Sequence, residues 1–374
     1  MKEPAVWDAA VCGGGLAGLT LARQLRREIP EASIVILETT PRPLPPAAFK
    51  VGESSVELSS HYFGKVLGLE DYLKKAHLPK LGLRFFFGNS QGPFGERPEF
   101  GESVFPRLPS FQLDRGILEE DLRRMNEADG VRLMEGSSVE DILIQGAGPH
   151  EVLYRGPQGP GRLKTRWVVD DLGRRRLLQA KFGLKRDNGH RANAAWFRAP
   201  GRLDVDDLVP ASDHEWHDRV PEKRRWFSTN HLMGAGYWVW LIPLSSGNTS
   251  VGIVADEVLH PFREYATYEA ARAWLKRHEP ALDAYLGERP ILDFRKLKQF
   301  SHSSTKVFSS DRWACTGEAG VFLDPFYSPG SDFIATSNTI TLAMMKLDRA
   351  GALTSEISER FNRFYLGLNE NMVE

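Results

Sequence analysis

Apolar and polar positions along the chain set out a β-α-β opening. Residues 5–12 are a short apolar run, residues 13–18 are glycine-rich, and residues 16–27 carry apolar side chains at helical spacing. Residues 33–38 (SIVILE) then read as a buried strand from their β-branched content. The proline run at 41–46 breaks regular structure. Residues 55–75 suggest one or two helices. Residues 82–101, rich in Gly and Phe, suggest an irregular loop between extended pieces. The pattern predicts an amphipathic helix over 115–126 and several strands over 131–170, with turns at 146–149 and 156–161. It predicts a strand-rich stretch over 194–254, in which 237–244 and 249–255 form a hairpin about 245–248. Helices follow at 267–278, 332–347 and 355–371, with a strand and turn at 313–317. There is no internal repeat.

This order predicts an α/β fold in which a β-rich substrate layer interrupts a Rossmann-like nucleotide-binding domain. The expected division assigns 1–187 and 300–348 to the nucleotide-binding part and 188–299 to the β-rich part. Residues 349–374 are left as a C-terminal helix.

Composition narrows the function classes. The 374 residues are 41% hydrophobic and 26% charged, as expected of a globular chain. Lys+Arg 48 against Asp+Glu 49 leaves a net charge of -1, so no basic excess points to nucleic acid. No apolar run approaches the roughly 20 residues of a membrane span, and the first residues lack a signal-peptide core. Two cysteines, Cys12 and Cys315, give no disulfide framework and fit a reducing cytoplasm.

The first chemical signal is G-x-G-x-x-G. Gly13, Gly15 and Gly18 sit between the first strand and helix, with Glu38 twenty residues further on. Gly13 permits the tight turn, Gly15 lets the backbone approach a pyrophosphate, and Gly18 lets helix and strand pack closely. Leu16 and Ala17 then offer helix N-terminal N–H groups to phosphates, and Glu38 can accept ribose hydroxyls. The fingerprint predicts a bound dinucleotide and does not by itself separate FAD from NAD. Three later blocks favour FAD. Arg115, Leu118, Glu119 and Leu122 form R-x-x-L-E-x-x-L on a helix. Residues 167–174 read WVVDDLGR, and Gly317 and Glu318 place an acid at a strand end.

Further motifs carry a resemblance. Residues 238–243 read W-V-W-L-I-P, residues 50–54 read K-V-G-E-S, and residues 324–330 read D-P-F-Y-S-P-G. With G-G-G-L-A-G at the N-terminal turn, these blocks resemble the flavin-dependent halogenases within the FAD-dependent monooxygenase superfamily, over roughly residues 5 to 345. The resemblance implies an oxidoreductase that halogenates an electron-rich aromatic or carrier-tethered substrate of natural-product biosynthesis with reduced FAD, dioxygen and halide. It implies that a separate flavin reductase supplies the reduced FAD. It places Val51, Gly52, Glu53 and Ser54 on a strap beside the flavin and adds Arg115, Glu318, Pro325 and Gly330 to the FAD contacts. It puts halide at Ser328 and Gly330. Lys80, in P-K-L-G-L-R-F, stands where the family carries its catalytic lysine, and Trp238 and Trp240 separate flavin from substrate.

Three positions in and beside the 324–330 loop depart from the family pattern. Tyr327 replaces the glutamate that tryptophan halogenases place in the D-P-x-x-S loop, and a phenol is a poor base at pH 7. Pro329 removes a backbone N–H where halide would bind, and Asp332 brings an anion nearby. The alternative reading is therefore a halide-independent monooxygenase, dehydrogenase or reductase. The resemblance also implies substrate-covering helices that are either missing or lie outside this sequence; without them the site is open, which suits a large or carrier-tethered substrate.

Overall fold

The computed structural model describes residues 4–44, 50–88 and 92–373. The expectations placed on residues 1–3, 45–46, 89–91 and 374 lie outside them. Two sheets organise the chain. The first has strand order Phe308–Ser309, Trp313–Cys315, Gly159–Asp170, Trp7–Cys12, Ile34–Glu38 and Arg132–Glu135, with His150–Gly156 and Ser138–Leu143 attached to its long strand as an antiparallel meander. Its four central pairings are parallel. Strands buried on both faces have no polar side to alternate with. That is why residues 9–12 and 34–37 read as unbroken apolar runs, and all eight are buried.

Trp7–Cys12 pairs with Ile34–Glu38 on one side and Gly159–Asp170 on the other. The chain direction of sheet growth reverses there, so a crevice opens beyond the carboxyl end of the first strand. Open α/β sheets bind ligands at such switch points. Helix Leu16–Glu28 leaves this crevice, and Gly330–Arg349 packs beside it.

The second sheet runs Asp293–Leu297, Ala192–Pro200, Asn248–Asp256, Tyr237–Pro243, Thr229–Gly234, Leu83–Phe86, Glu99–Gly101. Its face alternation explains the W-x-W-x-I motif. Val239 and Leu241 point into an apolar cluster with Trp274 and Leu275, while Trp238, Trp240 and Ile242 point to the other face with Trp196 and Phe300. Gly252 lies opposite Trp240, and a Cβ there would stand 2.1 Å from the indole. The Trp240 indole is flat against its neighbour strand, and its Nε1–H donates to Ser250 Oγ at 3.0 Å.

Several expectations change. Residues 83–86 and 99–101, read as parts flanking a loop, are strands of this second sheet, so the β-rich layer draws on two stretches of chain. Residues 201–228 hold only short helices, including His214–Asp218. The strand-rich reading of 194–254 therefore holds at its ends, 192–200 and 229–256, and not in its middle. An unanticipated helix, Pro280–Leu286, follows Tyr268–His278 with proline in its first turn, where the missing N–H costs no helix bond. Helix Ser355–Asn371 packs against Phe308–Ser309, with Tyr365 buried against Phe308 and Phe333. Among the described residues no helix is long and apolar enough to cross a membrane.

Candidate active site

At the switch point lies a cleft of about 400 Å³. Its walls include Gly13, Gly15, Leu16 and Ala17 of the first turn, Glu38, the strap Val51, Gly52, Glu53 and Ser54, and Arg115. Trp238, Trp240, Glu318, Pro325, Ser328 and Gly330 complete it from the far side. Residues from Gly13 to Ile334 thus line one cavity. Of the expected site residues, only Gly18 and Lys80 stay off this wall.

The three glycines of the fingerprint differ in what fixes them. Gly13 has φ +123° and a Cβ there would meet the Asp171 carbonyl oxygen at 2.0 Å. A Cβ at Gly18 would meet the Gly13 carbonyl oxygen at 2.2 Å, which is the close helix–strand packing the motif predicts. Gly15 is different. A Cβ there would have ordinary contacts only, 3.7 Å to Lys50 Nζ and 3.8 Å to Asp171 Oδ2, and would project into the cleft. The space in front of Gly15 suits a pyrophosphate, and the helix N-terminus points its N–H groups there. Glu38 closes the turn, accepting the Gly14 N–H at 2.7 Å and the Thr40 N–H at 2.7 Å.

The strap is held from both sheets. The Arg115 guanidinium donates to the Val51 carbonyl at 2.8 Å and to Glu119 at 3.0 Å. Glu53 is buried and takes two bonds from Arg198 at 2.9 and 2.7 Å, while Arg198 also pairs with Asp293. Burial pushes the Glu53 carboxyl above its ordinary range, and Arg198 opposes that. The carboxylate of Glu53 therefore anchors the strap to the second sheet. Arg198 was not a sequence candidate, because nothing local marks an arginine in an apolar strand as a tether.

A second cavity of about 460 Å³ lies behind the tryptophan wall. It shares Trp238 and Leu323 with the first and adds Met233, Tyr237, Phe326, Tyr327 and Pro329. Phe326 fills the seam: its ring centroid is 5.3 Å from Phe85, 5.5 Å from His231 and 5.4 Å from Trp238. His231 was missed by sequence reasoning. It is buried in the first cavity's wall, and desolvation pushes its pKa down to about 3, so it is a neutral imidazole at pH 7. On the second cavity's wall His190 Nε2 lies 3.0 Å from Asp324 Oδ2, and that hydrogen bond raises the His190 pKa.

Lys80 ends strand Leu78–Lys80, and only 1% of it is exposed. Its ammonium donates to the Ser55 carbonyl at 2.9 Å. Burial pushes its pKa down to about 7 against the pull of Glu57 and Asp332. It lies on the wall of neither cavity, so the amine sits behind the strap.

At the D-P-F-Y-S-P-G loop, Ser328 takes φ +58° and Pro329 caps helix Gly330–Arg349 without an N–H to give. Asp332, expected as an anion beside the halide position, lies in the first turn of helix Gly330–Arg349, and its Oδ1 accepts the Ser59 N–H at 2.9 Å. Tyr327 is 58% exposed and stacks edge-on against Phe326. Among the described residues no cluster of His, Cys, Asp and Glu could hold a metal.

A cleft at the switch point of a Rossmann-like sheet, entered by a glycine turn and a helix N-terminus, is a dinucleotide-binding architecture. No protein-family model matches the sequence. The chain is 27% identical over 383 residues to the flavin-dependent halogenase chlA of Dictyostelium discoideum, covering 92% of this chain and 61% of that protein. It is 24% identical to the 1H-pyrrole-2-carbonyl-(peptidyl-carrier protein) chlorinase of Pseudomonas fluorescens, covering 87% of this chain and 72% of that one. Among solved structures, the myxobacterial chondrochloren halogenase CndH superposes with a TM-score of 0.77 at 25% identity, covering 97% of this chain and 79% of that one. The chain thus has the sequence likeness and the fold of the flavin-dependent halogenases, and it spans 61% of the length of the Dictyostelium relative.

Proposed function

We propose that this chain is an FAD-dependent oxidoreductase that halogenates an electron-rich aromatic substrate, free or tethered to a carrier protein. The observation that carries the reading is the pair of cavities sharing Trp238 and Leu323, one built for a dinucleotide and one apolar and open to a ring. Gly13, Gly15, Leu16 and Ala17 would hold the pyrophosphate, Glu38 the ribose, and Val51, Gly52 and Glu318 the flavin end. FAD, delivered reduced by a separate reductase, would supply the oxidising power toward halide when it meets dioxygen.

The protein's part is positional. Trp238 and Trp240 keep the substrate ring off the flavin and keep water out, which favours transfer of halogen over direct hydroxylation. Lys80 would carry the halogen onward. An amine brought down to about pKa 7 is substantially uncharged near neutrality and can act as a nucleophile. His190, oriented by Asp324, is placed on the second cavity to take a proton from a phenolic or pyrrolic substrate. Two free buried cysteines, Cys12 and Cys315, fit a reducing cytoplasm.

A reductase-fed assay on electron-rich phenols and on a carrier-bound pyrrole tests the reading. Halogenated product that requires chloride or bromide is the expected result. Pro329 favours a second reading, a halide-independent oxygenase, because its missing N–H takes a donor from the halide position. Oxygenated product formed at full rate in halide-free buffer would select that reading. A further expectation concerns substrate. With Tyr327 where a carboxylate would be needed, free tryptophan gives no halotryptophan in the same assay, and robust formation of it would remove Tyr327 from its specificity role.

A further inference from the structure

We propose that Asp171 couples capture of the dinucleotide to uptake of one proton. The inference rests on the dinucleotide reading of the cleft and goes beyond it by naming what controls occupancy.

Asp171 follows the strand Gly159–Asp170, and its N–H donates to the Cys12 carbonyl at 2.8 Å. That bond sets it beside Gly13, on the wall of the cleft. Its carboxyl is turned into the first turn of helix Leu16–Glu28, where Oδ2 accepts the Gly18 N–H at 2.7 Å. The position a Cβ would take on Gly15 lies 3.8 Å from the same oxygen, and the one on Gly317 lies 3.2 Å from Oδ1. The carboxyl therefore stands within a contact distance or so of the path of the pyrophosphate, and it draws on the donors meant for that anion.

Carboxylates stand close to it. Asp170, on the same strand, accepts the Leu172 and Leu178 N–H groups. Glu38, on the second strand, accepts from Gly14 and Thr40. Glu318 lies across the cleft, and the Cys12 thiol lies behind. Among the cations near the cleft, Lys50 draws the Asp171 carboxyl down while its Nζ lies 2.5 Å from Glu119. Arg115 holds Glu119 and the strap, and Arg174 donates to the Phe300 carbonyl. Burial pushes the Asp171 carboxyl well above the usual carboxylate range; the Gly18 N–H and Lys50 oppose that, and Asp170 and Glu38 add to it.

A diphosphate arriving at residues 15–17 brings two more negative charges to this corner. Two anions in contact repel, and the weaker acid gives way by protonation. A neutral Asp171 carboxyl can still accept from Gly18 with its carbonyl oxygen and can donate its new O–H toward a phosphate oxygen. Binding then takes up one proton from solvent, and affinity falls as pH rises through the range in which Asp171 ionises in the free protein.

Calorimetric titration of the full chain with oxidised FAD, between about pH 6 and pH 9 and in buffers of differing ionisation enthalpy, reads this directly. The expected result is an affinity that falls by up to about tenfold per pH unit, with uptake approaching one proton per FAD. Asp171→Asn should bind FAD with no pH slope and no proton uptake, and more tightly than the native chain at the alkaline end. Glu38→Gln should keep the slope. A native affinity that is flat with pH, or a slope that survives in Asp171→Asn, overturns the inference and leaves the dinucleotide reading standing. Absence of FAD binding to the native chain at every pH overturns both. Should Asp171→Asn fail to fold, as its far-UV spectrum would show, the proton count of the native chain decides alone.

Discussion

Lys80→Ala is expected to abolish halogenated product while reduced flavin is still reoxidised by dioxygen at the native rate. On the proposed reading oxidant would form in the cleft, and Lys80 lies outside its wall, so the variant would lose delivery and keep formation. The loss should reach roughly 10²–10⁴-fold, the scale for removing one group from a proton- or group-transfer step. Lys80→Arg should fail as well, because a guanidinium stays charged and cannot supply a free amine. FAD affinity should be unchanged in both. The pH dependence has a definite sign. The Lys80 pKa is about 7, lowered by burial, so the uncharged amine grows as pH rises through neutrality. Product per reoxidised flavin should therefore rise through pH 7 and level off above it. Measuring product by chromatography beside oxygen uptake gives both quantities. Full product from Lys80→Ala in halide-free buffer would end the halogenation proposal.

Gly15→Val should remove FAD binding and leave the fold intact. Gly15 has φ -82° and ψ -174°, extended backbone open to any residue. Its Cβ would touch nothing in the protein closer than 3.7 Å. The cost to folding is then about 1 kcal/mol, from a poorer helix N-cap. The new side chain stands where the pyrophosphate must come closest to backbone. Forcing contact there costs roughly 1–3 kcal/mol or more, about a 10- to 100-fold weaker complex at least. Gly18→Ala is the contrasting control. Its Cβ would press on the Gly13 carbonyl at 2.2 Å, so it should lower Tm as well as affinity. Flavin fluorescence and a thermal melt separate the two effects. Native FAD affinity in Gly15→Val would sink the assignment of the cleft.

Much of this site was legible because local chemistry repeats. A strand, a glycine turn and a helix in register constrain each other within some thirty residues, and G-x-G-x-x-G with Glu38 reports that geometry directly. The alternation of Trp238, Val239, Trp240, Leu241 and Ile242 likewise follows from strand pleating. What alternation leaves open is which face meets which partner. Both faces here are apolar, so only the packed sheet shows that Trp238 and Trp240 face the cleft while Val239 and Leu241 face helix Tyr268–His278.

The amino-acid sequence by itself determined the nucleotide-binding opening, the order of the main elements and the flavin-linked motifs, since each is written in near-neighbour spacing. It left the roles of single charged residues to the tertiary structure. Glu53 reads as a flavin contact, and only the fold adds its tether to Arg198, 145 positions away. Asp332 reads as an anion beside the halide, and the fold adds its bond from the Ser59 N–H. Asp171 sits inside a recognised motif, yet its approach to Gly18 spans 153 positions. Lys80 has its motif, but its burial, and with it an amine of pKa about 7, comes from the strap folded over it. A charge in low dielectric is governed by whichever groups packing brings within a few ångströms, and those groups come from distant parts of the chain.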